Sequence, residues 1–360
     1  MNLKATSPLV NFFIEQGFTN GDFFNGKEFT KFSEFEEEFA ALKRGVGFRD
    51  VSTGLVELTG SDALDFLHRI TTNALKDLKL SEARPTLFTN EKGRILDRVT
   101  VLRRQDSILL FCSPQSAQRV THWIERYVIA DDVKIENTLG KTATLEVYGA
   151  QAESFLVLLF GRNLEFLAPN TSGTFAAENR LFTVLKLNAE TEKKSYLING
   201  GLKDIEILLT AAKREQSIFS FAVIGSDAYT HFRLKHSIPG ENELSDDFNP
   251  HEVGLAEDIS FTKGCYIGQE VIARLDTYDK VQKRLVKVSV AEIPAESDVP
   301  LPVIDEQGND AGVLTTLVKE KKVATIPNNG LAIIRKRYTE TQAKLLVKAG
   351  DKNIPLTIVG

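Results

Sequence analysis

The chain has 360 residues, 42% hydrophobic and 26% charged, with a formal net charge of −5 at pH 7. That length exceeds one ordinary hydrophobic core, so two or three globular domains are expected. The mild acidity argues against a global basic field for nucleic acid or an anionic membrane, which leaves a small or polar ligand in a cleft as the default, with no nucleic-acid or membrane partner.

The two cysteines, Cys112 and Cys265, lie far apart and show no CxxC or other ligand spacing. A disulfide framework and a self-contained zinc or iron–sulfur site are therefore not expected, and no metal ligands are assigned. The N-terminus lacks an apolar leader with a small-residue cleavage site, and no run of eighteen apolar residues occurs. A soluble cytoplasmic protein is the expectation.

Residues 1–50 are rich in Phe, with an amphipathic helix at 34–42 and a short strand at 46–48 entering a first α/β unit. An internal repeat follows. Leu58-Thr59-Gly60-Ser61-Asp62-Ala63-Leu64-Asp65-Phe66-Leu67 matches Val147-Tyr148-Gly149-Ala150-Gln151-Ala152-Glu153-Ser154-Phe155-Leu156. Each reads as a strand ending at Gly, then a helix placing Ala, Phe and Leu at i, i+3 and i+4 on one face. After the first copy come strands at 85–89, 95–103 and 107–113, a helix at 115–128 and a strand at 133–137. Asn90-Glu91-Lys92-Gly93 turns between the first two strands. After the second copy come strands at 181–187 and 194–198, a helix at 203–213 and a strand at 219–224. Both units have the element order of a ferredoxin-like α/β fold. Duplication is the reading; the alternative is coincidence between two strand–turn–helix segments.

A helix at 227–235 runs into a polar, irregular stretch at 236–262, broken by Pro239-Gly240 and Asn249-Pro250. From 281 onward, short apolar runs at 284–290, 299–304, 312–318, 331–335, 344–347 and 355–359 alternate with turn residues. They predict a separate antiparallel β domain, barrel or sandwich. The fold class is thus α+β. Its expected parts are an N-terminal segment 1–50, subdomains 51–139 and 140–240, a loop and cysteine segment 241–280, and a β domain 281–360. Lys319-Glu320-Lys321-Lys322 reads as a turn tip, and Lys280, Lys283, Arg284 and Lys287 as a solvated β edge, with RNA or partner contact as the alternative. The five histidines, His68, His122, His231, His236 and His251, show no metal-ligand spacing and read as structural.

The most informative stretch is Lys263-Gly264-Cys265-Tyr266-Ile267-Gly268-Gln269-Glu270. A free thiol titrates near about 8.5, and a helix N-terminus or a neighbouring cation stabilises the thiolate. Residues 267–275 read as a helix, and Lys263 lies two positions upstream of the thiol. Gln269 and Glu270 can hydrogen-bond a heterocycle; alternatively Glu270 braces the helix start. The residues leave open whether Cys265 is a reactive thiol or a small packing residue in a tight connection. Cys112, within Leu109-Leu110-Phe111-Cys112, is a core residue of an apolar strand.

The octapeptide resembles the signature of the YgfZ-type folate-binding proteins, relatives of the glycine-cleavage T-protein (aminomethyltransferase). Phe48-Arg49-Asp50-Val51-Ser52, Thr71-Thr72-Asn73, Asn90-Glu91-Lys92-Gly93-Arg94-Ile95-Leu96-Asp97, Arg233 with Pro239-Gly240, and Asn249-Pro250-His251-Glu252 follow in that family's order. The resemblance implies a three-lobed ring of two ferredoxin-like subdomains and a C-terminal β-barrel around a tetrahydrofolate pocket. It further implies a role in assembly or repair of iron–sulfur proteins, including tRNA-modifying ones, with Cys265 as the functional thiol and iron–sulfur client proteins as partners. Asp97, Arg98, Arg233, Lys263 and Gln269 are carried over as folate-contacting candidates. Asp97 either meets the pterin's donor edge or pairs with Arg94 or Arg98. Arg98 either engages the folate glutamate tail or lies on a solvated strand face.

Three departures bear on activity. Aminomethyltransferases carry two adjacent aspartates where this chain has Asp97 followed by Arg98. Their Gly-Tyr-Thr-Gly-Glu segment corresponds to Ile198-Asn199-Gly200-Gly201-Leu202, with Leu at the Glu position, and a tyrosine is replaced by Arg84. A guanidinium has no acceptor and stays charged, whereas aminomethyl transfer needs a carboxylate near the reacting amine. Aminomethyl transfer therefore stands as the alternative function, and a non-catalytic folate-binding module as a third.

Overall fold

The structure, a computed structural model, describes residues 6–19, 21–187, 195–215, 219–277, 281–292, 294, 299–318, 329–341 and 343–359. Lys194, Lys280 and the run Lys319-Glu320-Lys321-Lys322, which figured in the sequence expectations, lie outside the described residues. The chain divides into two compact units. The first comprises Met1–His68, Ala74–Thr86 and Val99–Tyr229; the second comprises Arg69–Asn73, Leu87–Arg98 and Thr230–Gly360.

The first unit begins with α1 (Val10–Glu15), α2 (Phe35–Lys43), β1 (Val46–Asp50), β2 (Leu55–Thr59) and α3 (Ala63–Ile70). β3 (Ala83–Thr89) and β4 (Ile95–Arg103) each contribute residues to both units. Next come β5 (Ile108–Phe111), α4 (Ala117–Tyr127), β6 (Lys134–Glu136), β7 (Thr142–Tyr148) and α5 (Ala152–Phe160). β8 (Thr171–Ala177), β9 (Arg180–Lys186), β10 (Ser195–Gly201), α6 (Leu202–Arg214), β11 (Phe221–Val223) and α7 (Ser226–His236) follow. The strands form a five-stranded sheet in the order β3-β4-β5-β2-β6 and a six-stranded sheet in the order β11-β1-β7-β10-β9-β8.

The repeat is present in three dimensions. Gly60 after β2 and Gly149 after β7 adopt φ of 114° and 112°, a region open to glycine. The helices that follow bury Ala63, Phe66 and Leu67, and Ala152, Phe155 and Leu156, in the same spacing. Apolar residues at i, i+3 and i+4 thus give each helix one buried face.

Two strands depart from expectation. The strand at 46–48 enters the second sheet rather than the first. β1 pairs antiparallel with β7, Gly47 opposite Tyr148, and parallel with β11. The reason is packing: Phe48 is fully buried, with its ring 5.9 Å from Phe155 and 5.3 Å from Phe221. β8 is an edge strand absent from the sequence reading. Its Thr-Ser-Gly-Thr-Phe-Ala-Ala run lacks apolar alternation, and it exists through its hairpin with β9.

The second unit contains α8 (Gln269–Thr277), β12 (Lys283–Val290), β13 (Leu301–Asp305), β14 (Asp310–Leu317), β15 (Gly330–Arg335), α9 (Lys336–Thr339), β16 (Leu345–Ala349) and β17 (Lys352–Val359). Its six strands close into an antiparallel barrel, β12-β15-β14-β13-β16-β17. Closure comes from β12, which pairs with β15 and with β17. Val288, Val303, Leu314, Ala332, Ile334 and Val347 fill the interior, each fully buried. A second cluster of Leu87, Ile95, Leu244, Phe248, Val253, Ile259, Tyr266 and Ile272 roots the cysteine segment. No helix among the described residues is long and apolar enough to cross a membrane.

Candidate functional site

Two of the sequence motifs meet in the second unit. The Asn90–Gly93 turn is closed by the Gly93 N–H donating to the Asn90 carbonyl at 2.9 Å. The Asn90 Oδ1 accepts from the N–H groups of Lys92 and Arg94, each at 3.0 Å. Gly268 packs on this turn with φ of 84°. A Cβ on Gly268 would lie 2.5 Å from the Asn90 oxygen and 2.9 Å from the Gly93 Cα, so only glycine allows the approach.

The cysteine loop is fastened at both ends. The Ser260 N–H donates to the Thr72 carbonyl at 3.1 Å. Lys263 Nζ donates to the carbonyls of Thr71 and Asn73, each at 2.7 Å. At the far end Thr89 Oγ1 donates to the Ile267 carbonyl at 2.7 Å. Between these ties Gly264 and Cys265 are exposed. Helix α8 begins only at Gln269. Cys265 is therefore four positions ahead of the helix rather than two, and the Lys263 amine is directed at the 71–73 carbonyls. Cys112, by contrast, is a buried core residue, as its apolar strand implied.

Burial pulls the half-buried Lys263 amine down to about 7. The amine lies 5.1 Å from the centre of the Tyr266 ring. Tyr266 is 7% exposed; burial pushes its phenol up to about 12, and its hydroxyl has no hydrogen-bond partner among the described residues. The buried Nε2 of His251 is in the same position, its ring stacked on Phe261 at 6.1 Å. Orphaned buried polar atoms of this kind are uncommon and call for water or a ligand.

The residues carried over as folate contacts are only partly brought together. Asp97 and Arg98 point to opposite faces of β4. Asp97 is fully buried beside Ile95 and Val99 on the inward face. Arg98 lies on the exposed face of the strand, with its guanidinium paired along one edge. Its Nε lies 2.6 Å and its Nη2 3.4 Å from the two oxygens of Asp258, whose side chain is 6% exposed. Arg94 is directed at Glu252 at 3.1 Å and at the Asp247 carbonyl at 2.9 Å. The Asn249-Pro250-His251-Glu252 motif is a reciprocal cap. Asn249 Oδ1 accepts from the N–H groups of His251 and Glu252, and Glu252 Oε2 accepts from the Asn249 N–H.

Arg233 is also engaged internally. Its guanidinium lies 3.2 Å from the fully buried Glu243 and 2.7 Å from Thr316 Oγ1 of β14. Glu243 further accepts from the Gly240 N–H at 2.7 Å and Thr316 Oγ1 at 2.7 Å. The Arg233 and Pro239-Gly240 motif is thus a brace against the barrel. Gln269 is half-buried at the first position of α8, and Glu270 is exposed. In the first unit, Arg84 is tied to Asp77 at 2.8 Å, and Leu202 opens α6. Sequence reasoning missed Asp258, Glu243 and the 71–73 carbonyls. Asp258 lies 160 residues from its partner, and no local pattern marks it. Glu243, ten residues from Arg233, was within reach of a charge-pair search of the loop.

Residues 10–174 match the family model for the GCVT N-terminal domain. The aminomethyltransferase of Halalkalibacterium halodurans is 25% identical over 362 residues, 99% of this chain and 97% of that protein. The aminomethyltransferase of Bacillus licheniformis is 26% identical over 365 residues, again 99% and 97%. These likenesses are to proteins of the T-protein superfamily. The fold agrees. The glycine cleavage system aminomethyltransferase T of Bartonella henselae superposes with a TM-score of 0.80 at 17% identity, covering 99% of this chain and 97% of that one. The T-protein fold is therefore that of this chain, with its closed C-terminal barrel.

Proposed function

We propose that this protein binds a tetrahydrofolate and acts through the Cys265 thiol as a cytoplasmic accessory factor for iron–sulfur proteins, including those that modify tRNA. The observation that carries the reading is the placement of Cys265. It is exposed at the crest of a loop held at both ends within one unit. Anchoring keeps the sulfur in one place, and exposure gives a client protein access to it. Arg98 weighs against aminomethyl transfer, because the guanidinium paired with Asp258 accepts no proton.

A folate is supported by the aminomethyltransferase relatives, which belong to a folate-dependent family. The polar atoms of the second unit fit such a group. The Tyr266 hydroxyl, the His251 Nε2 and the half-buried Gln269 amide offer donor and acceptor atoms to a pterin edge. Bound there, the folate supplies a one-carbon or redox-active heterocycle. The protein holds and orients it and keeps the thiol in position.

The test is complementation of cells with an iron–sulfur enzyme defect. Cys265→Ala should lose rescue while its circular dichroism and melting stay those of the wild type. Full rescue by that variant would remove the thiol from the mechanism. Calorimetric titration with tetrahydrofolate checks the ligand, and absence of heat at millimolar folate would remove it. The full-length likeness to aminomethyltransferases favours a second reading, transfer of a one-carbon unit from a lipoyl-carried or free methylamine to tetrahydrofolate. Turnover by the purified protein in that assay would replace the first reading.

A further inference from the structure

The first unit holds a cavity of about 40 Å³, and every residue that lines it belongs to that unit. Phe13, Phe29 and Ile224, each buried, give it apolar walls. Arg49 and Asp50 of β1, Thr53 and Gln115 bring polar groups to it, and Lys27 and Glu28 add one charge of each sign. One water needs about 10–15 Å³ of such space, so the cavity has room for about three, or for a molecule of about five non-hydrogen atoms.

Hydrogen bonds within this cluster are unevenly shared. Asp50 is engaged at both oxygens. Its Oδ1 accepts from the Ser52 N–H at 3.0 Å and from Ser52 Oγ at 2.6 Å, and its Oδ2 accepts from Ser7 Oγ. Arg49 is engaged far less. A guanidinium has five N–H donors. Among the described residues that of Arg49 makes one hydrogen bond, from Nη1 to Glu146 Oε2 at 3.2 Å. Its central carbon lies 3.6 Å from the centre of the Tyr229 ring, a stacking that fixes the plane of the fork. Gln115 donates through Nε2 to Thr53 Oγ1 at 3.4 Å, and its buried Oε1 has no partner among the described residues. Gln115 also sits at φ of 71°, where a residue with a Cβ is held against a local cost.

Spare donors on Arg49 and a spare acceptor on Gln115 call for a ligand that carries both kinds of group. A simple anion would answer Arg49 but face the oxygens of Gln115, Asp50 and Glu28. A simple cation would answer those oxygens but face Arg49 and Lys27. We propose that this cavity binds a small zwitterion, an α-amino acid of glycine or alanine size, with its carboxylate on the Arg49 fork and its ammonium on Gln115 Oε1. The two cations and two carboxylates of the wall balance, which suits a ligand of no net charge. The volume excludes a longer side chain. This goes beyond the proposed thiol function, since no residue of the Cys265 segment lines the cavity.

Isothermal titration of the full chain with glycine tests this, with acetate, methylamine and leucine as comparison ligands. Glycine carries both charges in the smallest frame. Acetate and methylamine carry one each, and leucine carries both but exceeds the volume. Glycine should bind saturably below about 10 mM, and the other three should not. Gln115→Met removes the acceptor at nearly the same length and should weaken glycine binding about tenfold to a hundredfold. Arg49→Lys keeps the charge but loses the fork and should weaken it too. Circular dichroism melts establish that each variant is folded; should Arg49→Lys not fold, Gln115→Met carries the comparison. No glycine binding at about 10 mM would make this a water-filled cavity and overturn the proposal. Acetate, methylamine or leucine binding as tightly as glycine would overturn it as well, and so would unaltered glycine binding in Gln115→Met.

Discussion

The contact between the Asn90–Gly93 turn and the cysteine segment makes a sharp prediction about two neighbouring glycines. Gly268→Ala places a Cβ 2.5 Å from the Asn90 carbonyl oxygen and 2.9 Å from the Gly93 Cα, both backbone atoms. It also holds an L-residue at φ of 84°. The left-handed backbone costs about 1–2 kcal/mol, and forcing two backbones apart costs about 1–3 kcal/mol. The sum, about 2–5 kcal/mol, is a large part of the roughly 5–15 kcal/mol that stabilises a domain. Gly264→Ala is the internal control. It lies four residues away, has no atom within 4 Å of the new Cβ and lacks a left-handed φ. It should be neutral or stabilising by up to about 1 kcal/mol, through a less flexible unfolded chain. Urea denaturation followed by far-ultraviolet circular dichroism gives the global change. Hydrogen exchange on peptides from 87–98 and 260–277 gives the local one. Gly268→Ala should speed local exchange by about thirtyfold or more, since each 1.4 kcal/mol is about tenfold. If Gly268→Ala and Gly264→Ala melt and exchange alike, the turn and the cysteine segment are not in contact.

Three further outcomes follow from the same unit. Arg233→Met should lose about 3–5 kcal/mol, because it leaves the fully buried Glu243 uncompensated. Adding Glu243→Leu should recover much of that loss in urea midpoints, and no recovery would refute the brace. Arg98→Ala should lose about 1–3 kcal/mol by stranding the buried Asp258 carboxylate, while Arg98→Asp should lose more through like-charge contact; equal midpoints would count against the pair. Lys263 gives a pH dependence. Its amine is lowered to about 7 when folded, so the unfolded chain binds the extra proton between about 7 and 10.5. Its contribution to stability should therefore rise with pH across that window and be least favourable below it. Lys263→Met should flatten that rise in melts recorded at several pH values, and an unchanged slope would contradict it.

Much of the local structure was readable in the residues. β4 occupies 95–103 as expected, and the six apolar runs after 281 became the six strands of the barrel. The Gly60 and Gly149 turns launch the two similar helices. Such features follow from turn residues and from periods of two and 3.6, which act over a few positions. β8 escaped because an edge strand without alternation is stabilised by its neighbour rather than by its own pattern.

By itself, then, the sequence determined the kinds and limits of most elements, the core character of Cys112 and the stretch worth attention around Cys265. Only the tertiary structure decided which sheet β1 joins and what the polar side chains do. Arg98 finds Asp258 160 residues away, and Lys263 finds the Thr71 carbonyl 192 residues away. A charged group leaving water must take whatever partner the packed chain supplies, and that partner is set by which distant segments meet, not by its neighbours in the chain.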